Sequence, residues 1–170
     1  MSAPRTPSPE PDHFYYFAYG SCMCPVDLKR SLGESTHDYV VGPATLEGYR
    51  LGFYRQSRRR ECGALDLVRD PTASVQGVLY RLPNRLSPQL DQREEGYLRE
   101  IVTVECGDRV YEKTRTYVVA DKLSTELPPS DGYSQVVLRG AQTCGLPEPY
   151  YWQLFYHMLN LQQQQSPSNR

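Results

Sequence analysis

The sequence predicts an α+β domain: a curled mixed sheet or small mixed β-barrel of about six to seven strands, with peripheral helices. Three observations point there. Short runs of β-branched and aromatic residues recur between Gly, Pro, Asn and Asp breaks. Beyond a short helix after the first strand, one helical segment interrupts the strands and two more follow them, and no regular strand–helix alternation announces a parallel α/β sheet. A chain of 170 residues is one domain's worth, enough to bury roughly two thirds of its unfolded surface unaided. The reading is one folded domain over residues 13–161 between disordered tails at 1–12 and 162–170, since the first carries four prolines and the second is Gln, Ser, Pro and Asn before a final Arg170.

The first strand is the run Phe14, Tyr15, Tyr16, Phe17, Ala18, too short for a buried helix and apolar on both faces. It stops at Tyr19-Gly20-Ser21, where glycine suits a turn whose backbone lies close to a ligand. Pro25 can then open a helix over 25–32. A strand turning over glycine into a helix start gathers backbone N–H groups, a site suited to a carboxylate or phosphate, although an ordinary strand–turn–helix has the same form. Strands follow at 39–41, 44–54, 63–68 and 74–80, and the stretch 45–53 is long enough to curl around a core. Ser87 as N-cap and Pro88 at the first helical position open a helix that Gly96 stops. Strands at 97–105 and 110–120 flank a Gly107-Asp108 hairpin turn. Helical spacing at Val136, Val137 and Gly140 gives a helix over 133–144, and a last one covers 147–161.

Composition excludes several roles. The net charge of −1 provides no field to recruit nucleic acid or an anionic membrane. Arg55, Arg58, Arg59 and Arg60 form a local basic cluster, read as decorating a solvated hairpin, with steering of an anionic substrate as the alternative. Five cysteines without framework spacing, and no apolar leader, predict a reducing, cytoplasmic setting. The three histidines are scattered and Cys22 and Cys24 are only two apart, so no metal site is expected. No apolar run is long enough to span a bilayer.

The segment 87–96 breaks a local rule. Leu86, Leu90 and Glu94 are spaced by four, so the row that buries two leucines also directs Glu94 inward, while Glu95 lies about 140° around from Leu90. Two glutamates also crowd the negative end of the helix dipole, at a cost of a few tenths to about 1 kcal/mol. A carboxyl held on an apolar floor has its pKa raised toward proton-transfer use. The plain alternative is that Glu94 pairs with Arg93 or Arg99 at a surface edge.

At this point two separated motifs, FAYGSCM and LDQREEGY, resemble the YGS loop and glutamate helix of the γ-glutamylcyclotransferase-like superfamily, which includes AIG2-like and ChaC-like proteins. VGPATLEGYRLGF, CGALDLV with VQGVLYRL, TRTYVV, and PSDGY leading to GLP follow in order, over about 130 residues. The resemblance implies a small mixed β-barrel and a cofactor-free enzyme that cleaves a γ-glutamyl amide by cyclisation, releasing 5-oxoproline and an amine or amino acid. It implies Glu94 as the acid–base residue, a substrate loop at Tyr19, Gly20, Ser21 and Cys22, and pocket tyrosines at Tyr97, Tyr117 and Tyr133. The implied partner is a small γ-glutamyl substrate, with no nucleic acid or membrane, in a monomer or homodimer.

Two positions depart from the family pattern. Cys22 stands where many members have asparagine, and Glu95 intervenes before the glycine that often follows the glutamate directly, which keeps Glu95 open as the proton carrier. A non-catalytic module that binds γ-glutamyl compounds or 5-oxoproline is the alternative function. A Cys22 nucleophile would need a nearby base, which the spacing of His37 and His157 does not supply.

Overall fold

A computed structural model describes Pro4 and residues 12–165 of the chain. Apart from Pro4, Asp12 and residues 162–165, the two expected tails lie outside the described residues. The carboxyl-terminal boundary is later than expected, because the last helix continues to Gln165 rather than ending at Leu161.

Five strands close a barrel in the order β1 (His13–Ala18), β3 (Cys62–Pro83), β2 (Val40–Ser57), β4 (Tyr97–Cys106), β5 (Arg109–Val119). Neighbours run antiparallel except β1 and β5, which close the barrel in parallel through Tyr16 and Arg115. The count is five rather than six to seven because two pairs of expected strands are continuous. Residues 39–54 run unbroken apart from the first, with a register shift between Val40 and Gly42 absorbing the Gly-Pro pair. In β3, Asp70-Pro71-Thr72 reads as a break but stays extended. Its register jumps from Arg69 opposite Tyr49 to Ser74 opposite Glu47, so Pro71 has no ladder partner to deprive.

Four helices surround the barrel: α1 (Pro25–Leu32), α2 (Ser87–Arg93), α3 (Asp131–Thr143) and α4 (Glu148–Gln165). The first strand is buried from Tyr15 to Ala18, as its composition requires, and with Phe53, Val78, Leu79, Tyr80, Leu82 and Val104 it fills the interior. Each fully buried side chain of this size contributes about 1.5–3 kcal/mol. On α2, Leu90 is fully buried and Leu86 just before it nearly so, so the inward row exists as its spacing predicts. The helix is shorter than expected, ending at Arg93. Ser87 is its first residue rather than its cap, and the Ser87 hydroxyl instead accepts hydrogen bonds from Arg99 and Arg115.

Close packing fixes α3 against the turn that follows β1. A Cβ on Gly140 would lie 2.6 Å from the Cys24 nitrogen and 2.7 Å from the Met23 carbonyl carbon. Both are backbone atoms that cannot rotate away. Gly140→Ala is therefore expected to lose about 1–3 kcal/mol despite alanine's better helix propensity, read as a lower midpoint in urea. An unchanged midpoint would show that the loop moves freely.

Candidate active site

The site is built from the end of β1 outward. Gly20 leads into a 3-10 turn, Ser21–Met23, and Pro25 opens α1 at its first turn as expected. Gly20 is not left-handed, with φ −121°. Its missing Cβ is what matters, since a methyl there would sit 3.1 Å from the Tyr133 hydroxyl. Like the first donors of any helical turn, the Ser21 and Cys22 N–H groups have no acceptor among the described residues.

Glu94 occupies the position after α2, where its N–H still bonds the Leu90 carbonyl at 3.1 Å, and its own carbonyl accepts from Tyr97 N–H at 2.9 Å. Gly96, with φ +88°, turns the chain into β4. The Glu94 Oε1 receives the Cys22 thiol at 3.2 Å and the Tyr16 hydroxyl at 3.4 Å, and among the described residues the carboxyl makes no ion pair. Arg99, the alternative partner, binds Asp91 instead. Burial raises the Glu94 carboxyl above its ordinary 4.5, against the pull of Arg93 and the two donors. Burial also lifts the Tyr16 hydroxyl and pushes the Cys22 thiol up to about 12, so both approach Glu94 as neutral donors.

Arg93 faces the other way. Its Nη2 reaches Asp27 Oδ2 at 2.7 Å and Ser21 Oγ at 2.8 Å, its Nε donates to the Cys22 sulfur at 2.8 Å, and its Nη1 donates to Ser31. Asp27, 4% exposed, also receives Arg60 at 3.1 Å. This buried ionic cluster ties α1, α2, the 3-10 turn and the β2–β3 turn into one wall.

The tyrosines form the opposite wall. Over residues 62–68, β3 pairs with no strand but β2, and at its other edge the Gly63 N–H bonds the Pro128 carbonyl at 2.9 Å. There Tyr133 accepts the Leu65 N–H at 3.0 Å, and Tyr97 donates to the Leu65 carbonyl at 2.9 Å. Ser130 caps α3 by accepting the Tyr133 N–H, which sets the ring at the first turn. Tyr19 donates to the Tyr117 carbonyl at 2.5 Å, and the Tyr117 hydroxyl donates to Asp91 at 2.6 Å.

Two adjoining cavities meet at Glu94. The inner one, about 40 Å³, is bounded by Tyr16, Tyr19, Gly20, Ser21, Cys22, Leu65, Glu94, Tyr97, Tyr117 and Tyr133. The outer one, about 260 Å³, shares Ser21, Glu94, Tyr97 and Tyr133 and extends to the arginines of the β2–β3 turn. The eight residues implied by the resemblance therefore gather around one space. Glu95 is exposed and borders only the outer cavity. Among the described residues no group of three or more His, Cys, Asp or Glu is arranged to hold a metal ion, and no helix is long and apolar enough to cross a membrane.

Residues 74–154 match the AIG2-like family model. The chain is 33% identical over 138 residues to the Bacillus subtilis (strain 168) protein named "Putative gamma-glutamylcyclotransferase YkqA", covering 79% of this chain and 48% of that one. The crystal structure of YkqA superposes with a TM-score of 0.79 at 31% identity, over 88% of this chain and 55% of YkqA. The chain belongs to the γ-glutamylcyclotransferase-like superfamily. It spans about half the length of YkqA. A second relative, the mouse protein named "Gamma-glutamylcyclotransferase", is 26% identical over 149 residues, 83% of this chain and 77% of that one. A solved structure titled "Gamma-glutamyl cyclotransferase" has the same fold, with a TM-score of 0.76 at 24% identity over 85% of this chain and 87% of the other.

Within this γ-glutamylcyclotransferase-like frame, three side chains at the site escape sequence reasoning. Tyr16 reads as one aromatic of a buried strand, and only barrel closure brings it to Glu94. Asp27 reads as a favourable acid in the first turn of α1. Arg93 reads as a possible partner of its neighbour Glu94, but its guanidinium turns to Asp27. One signal could have marked Asp27: it sits beside Leu28 on a helix that also buries Pro25 and Leu32, and a carboxylate carried into such a face needs a cation.

Proposed function

We propose that the protein is a γ-glutamylcyclotransferase: the α-amine of a γ-glutamyl group attacks its own γ-carbonyl, giving 5-oxoproline and a free amine or amino acid. One observation supports this most strongly, the Glu94 carboxyl at the junction of two cavities, with no ion pair among the described residues, raised in pKa and braced by neutral donors. The names carried by the two sequence relatives agree with it.

In the forward step the substrate ammonium gives a proton to Glu94, and the amine nitrogen bonds to the γ-carbon. The carbonyl π pair moves to oxygen, where the Ser21 and Cys22 N–H groups are suitably free to receive it. The tetrahedral centre then loses the second ring-nitrogen proton and the γ-carbon to amide-nitrogen bond breaks; Glu94 returns the first proton to the departing nitrogen and relays the second, so the amine leaves as its ammonium and the lactam keeps one N–H. No water is consumed and Glu94 ends as it began, serving first as base and then as acid. Folding the chain so that amine and carbonyl meet supplies much of the rest, because attack is intramolecular.

The test is incubation of the purified protein with a panel of γ-glutamyl amino acids, γ-glutamyl amines and glutathione, with 5-oxoproline measured by mass spectrometry. Release from at least one compound is expected. Inertness across the panel sinks the proposal, and binding of 5-oxoproline without turnover by any compound would instead assign a binding module.

A thiol-independent reaction makes a further prediction. Cys22 is 5% exposed and its thiol is pushed up to about 12 by burial, so at pH 7.5 its thiolate fraction is on the order of 10⁻⁴ to 10⁻⁵. Iodoacetamide at that pH is expected to leave most of the activity. Loss in step with Cys22 alkylation would restore a thiol nucleophile.

A further inference from the structure

We infer that the β2–β3 turn forms a subsite for a carboxylate on the leaving-group side of the substrate, so that the enzyme releases an amino acid or a peptide with a free carboxyl end rather than a simple amine. This rests on the cyclotransferase reading of Glu94. Arg58 and Arg59 are exposed, as expected of a solvated hairpin, but the cluster also borders the site. Arg55, Arg58, Arg59, Arg60 and Arg93 all line the outer cavity, which is continuous with the space at Glu94, while among the described residues only Glu94 and Glu95 bring carboxylates to that lining.

The five arginines fall into two kinds. Arg55, Arg60 and Arg93 are already committed. Arg55 donates to the Glu95 carbonyl at 3.1 Å and covers the Tyr97 ring, Arg60 binds Asp27 and covers the Tyr133 ring, and Arg93 is spent on Asp27, Ser21, Ser31 and Cys22. Arg58 and Arg59 make no hydrogen bond or ion pair among the described residues. Arg59 is pushed below its ordinary pKa by partial burial and by the neighbouring charges of Arg93 and Arg60, the position of a cation awaiting an anion.

The turn that carries them is held in shape. The Arg60 N–H donates to Ser57 Oγ at 3.3 Å, and Glu61 is left-handed at φ +51°. The Asp27 contact anchors the Arg60 end of the turn. Two guanidiniums without a partner among the described residues, carried on a braced turn beside a cavity whose inner end holds the proton carrier, suit a bidentate carboxylate a few bonds beyond the scissile nitrogen. A neutral amine would leave both without a partner.

The experiment compares two substrates that differ only in this charge, γ-glutamyl-alanine and γ-glutamyl-alaninamide. Both are assayed for 5-oxoproline release with wild type, Arg59→Gln and Arg58→Gln, with melting temperature checked for each variant. Wild type is expected to favour the free acid in kcat/KM by about tenfold to a hundredfold, the range of a charge-assisted pairing. That ratio is expected to fall toward one in the Arg59 variant, less so in the Arg58 variant, and to shrink in wild type as salt is raised. Equal kcat/KM for acid and amide in wild type, or a ratio that survives both substitutions, overturns the subsite and leaves the cyclotransferase reading standing. Turnover of neither compound, nor of any in the wider panel, overturns both.

Discussion

Glu94→Gln is expected to lower kcat for 5-oxoproline release by about a hundredfold to ten-thousandfold, the usual contribution of a positioned acid–base group. The amide keeps an oxygen to accept the Tyr16 and Cys22 donors, so the loss isolates proton transfer from architecture. Stability should move the other way. The folded carboxyl has a pKa raised above its ordinary 4.5 by burial, so below that value both folded and unfolded chains hold the proton and the group is harmless. As pH rises from there through the folded pKa, ionisation favours the unfolded chain and stability is lost. At neutral pH the glutamine variant should therefore melt at the same temperature as wild type or higher. In wild type kcat/KM should fall as pH drops through the raised Glu94 pKa, and the variant should lack that limb. Glu95→Gln, by contrast, alters an exposed side chain and should stay within a few-fold of wild type. If Glu95→Gln is the inactive variant and Glu94→Gln is not, the roles of the two glutamates are exchanged.

The second large effect concerns Asp27. Its side chain and that of Arg93 are each 5% exposed, and replacing one member of such a pair leaves the other charge buried without compensation. Asp27→Asn is expected to cost about 3–5 kcal/mol, which for a chain of this size lowers the melting temperature by the order of 10 °C. The same change frees Arg60 and the β2–β3 turn, and loosens the hold of Arg93 on Ser21 and Cys22, so kcat should fall as well. The contrast is the pair of Arg69 and Glu100, 77% and 23% exposed, where Glu100→Gln should cost under about 1 kcal/mol because water screens it. Calorimetry on the two variants separates these values clearly. Equal, small losses would show that the Asp27 cluster is as dispensable as a surface pair.

Much of the wall-building was legible in the chain. The apolar run from Phe14 to Ala18, the glycine-to-proline turn behind it and the four-residue spacing of Leu86, Leu90 and Glu94 each express a short-range rule, and each appears in the structure. The pocket tyrosines follow from likeness to a family rather than from spacing, since nothing local tells a pocket tyrosine from a core one. The joins within β2 and β3 are not legible locally, because Gly-Pro and Asp-Pro-Thr break a strand by local preference, whereas a register shift in a paired ladder accommodates them.

By itself, then, the sequence determined the elements that depend on neighbours a few residues away: where strands and helices form, which faces are apolar, and that Glu94 turns inward. Only the tertiary structure decided what Glu94 meets there. Tyr16 lies 78 residues away in sequence and Cys22 lies 72 away, while the Arg93 and Asp27 pair spans 66. Such contacts follow from barrel closure and from the path of two turns, and hydrogen bonds and ion pairs of this kind depend on tenths of an ångström and on burial. Periodicity can aim a side chain at the interior, but the partner waiting there, and hence its charge and its chemistry, is set by packing.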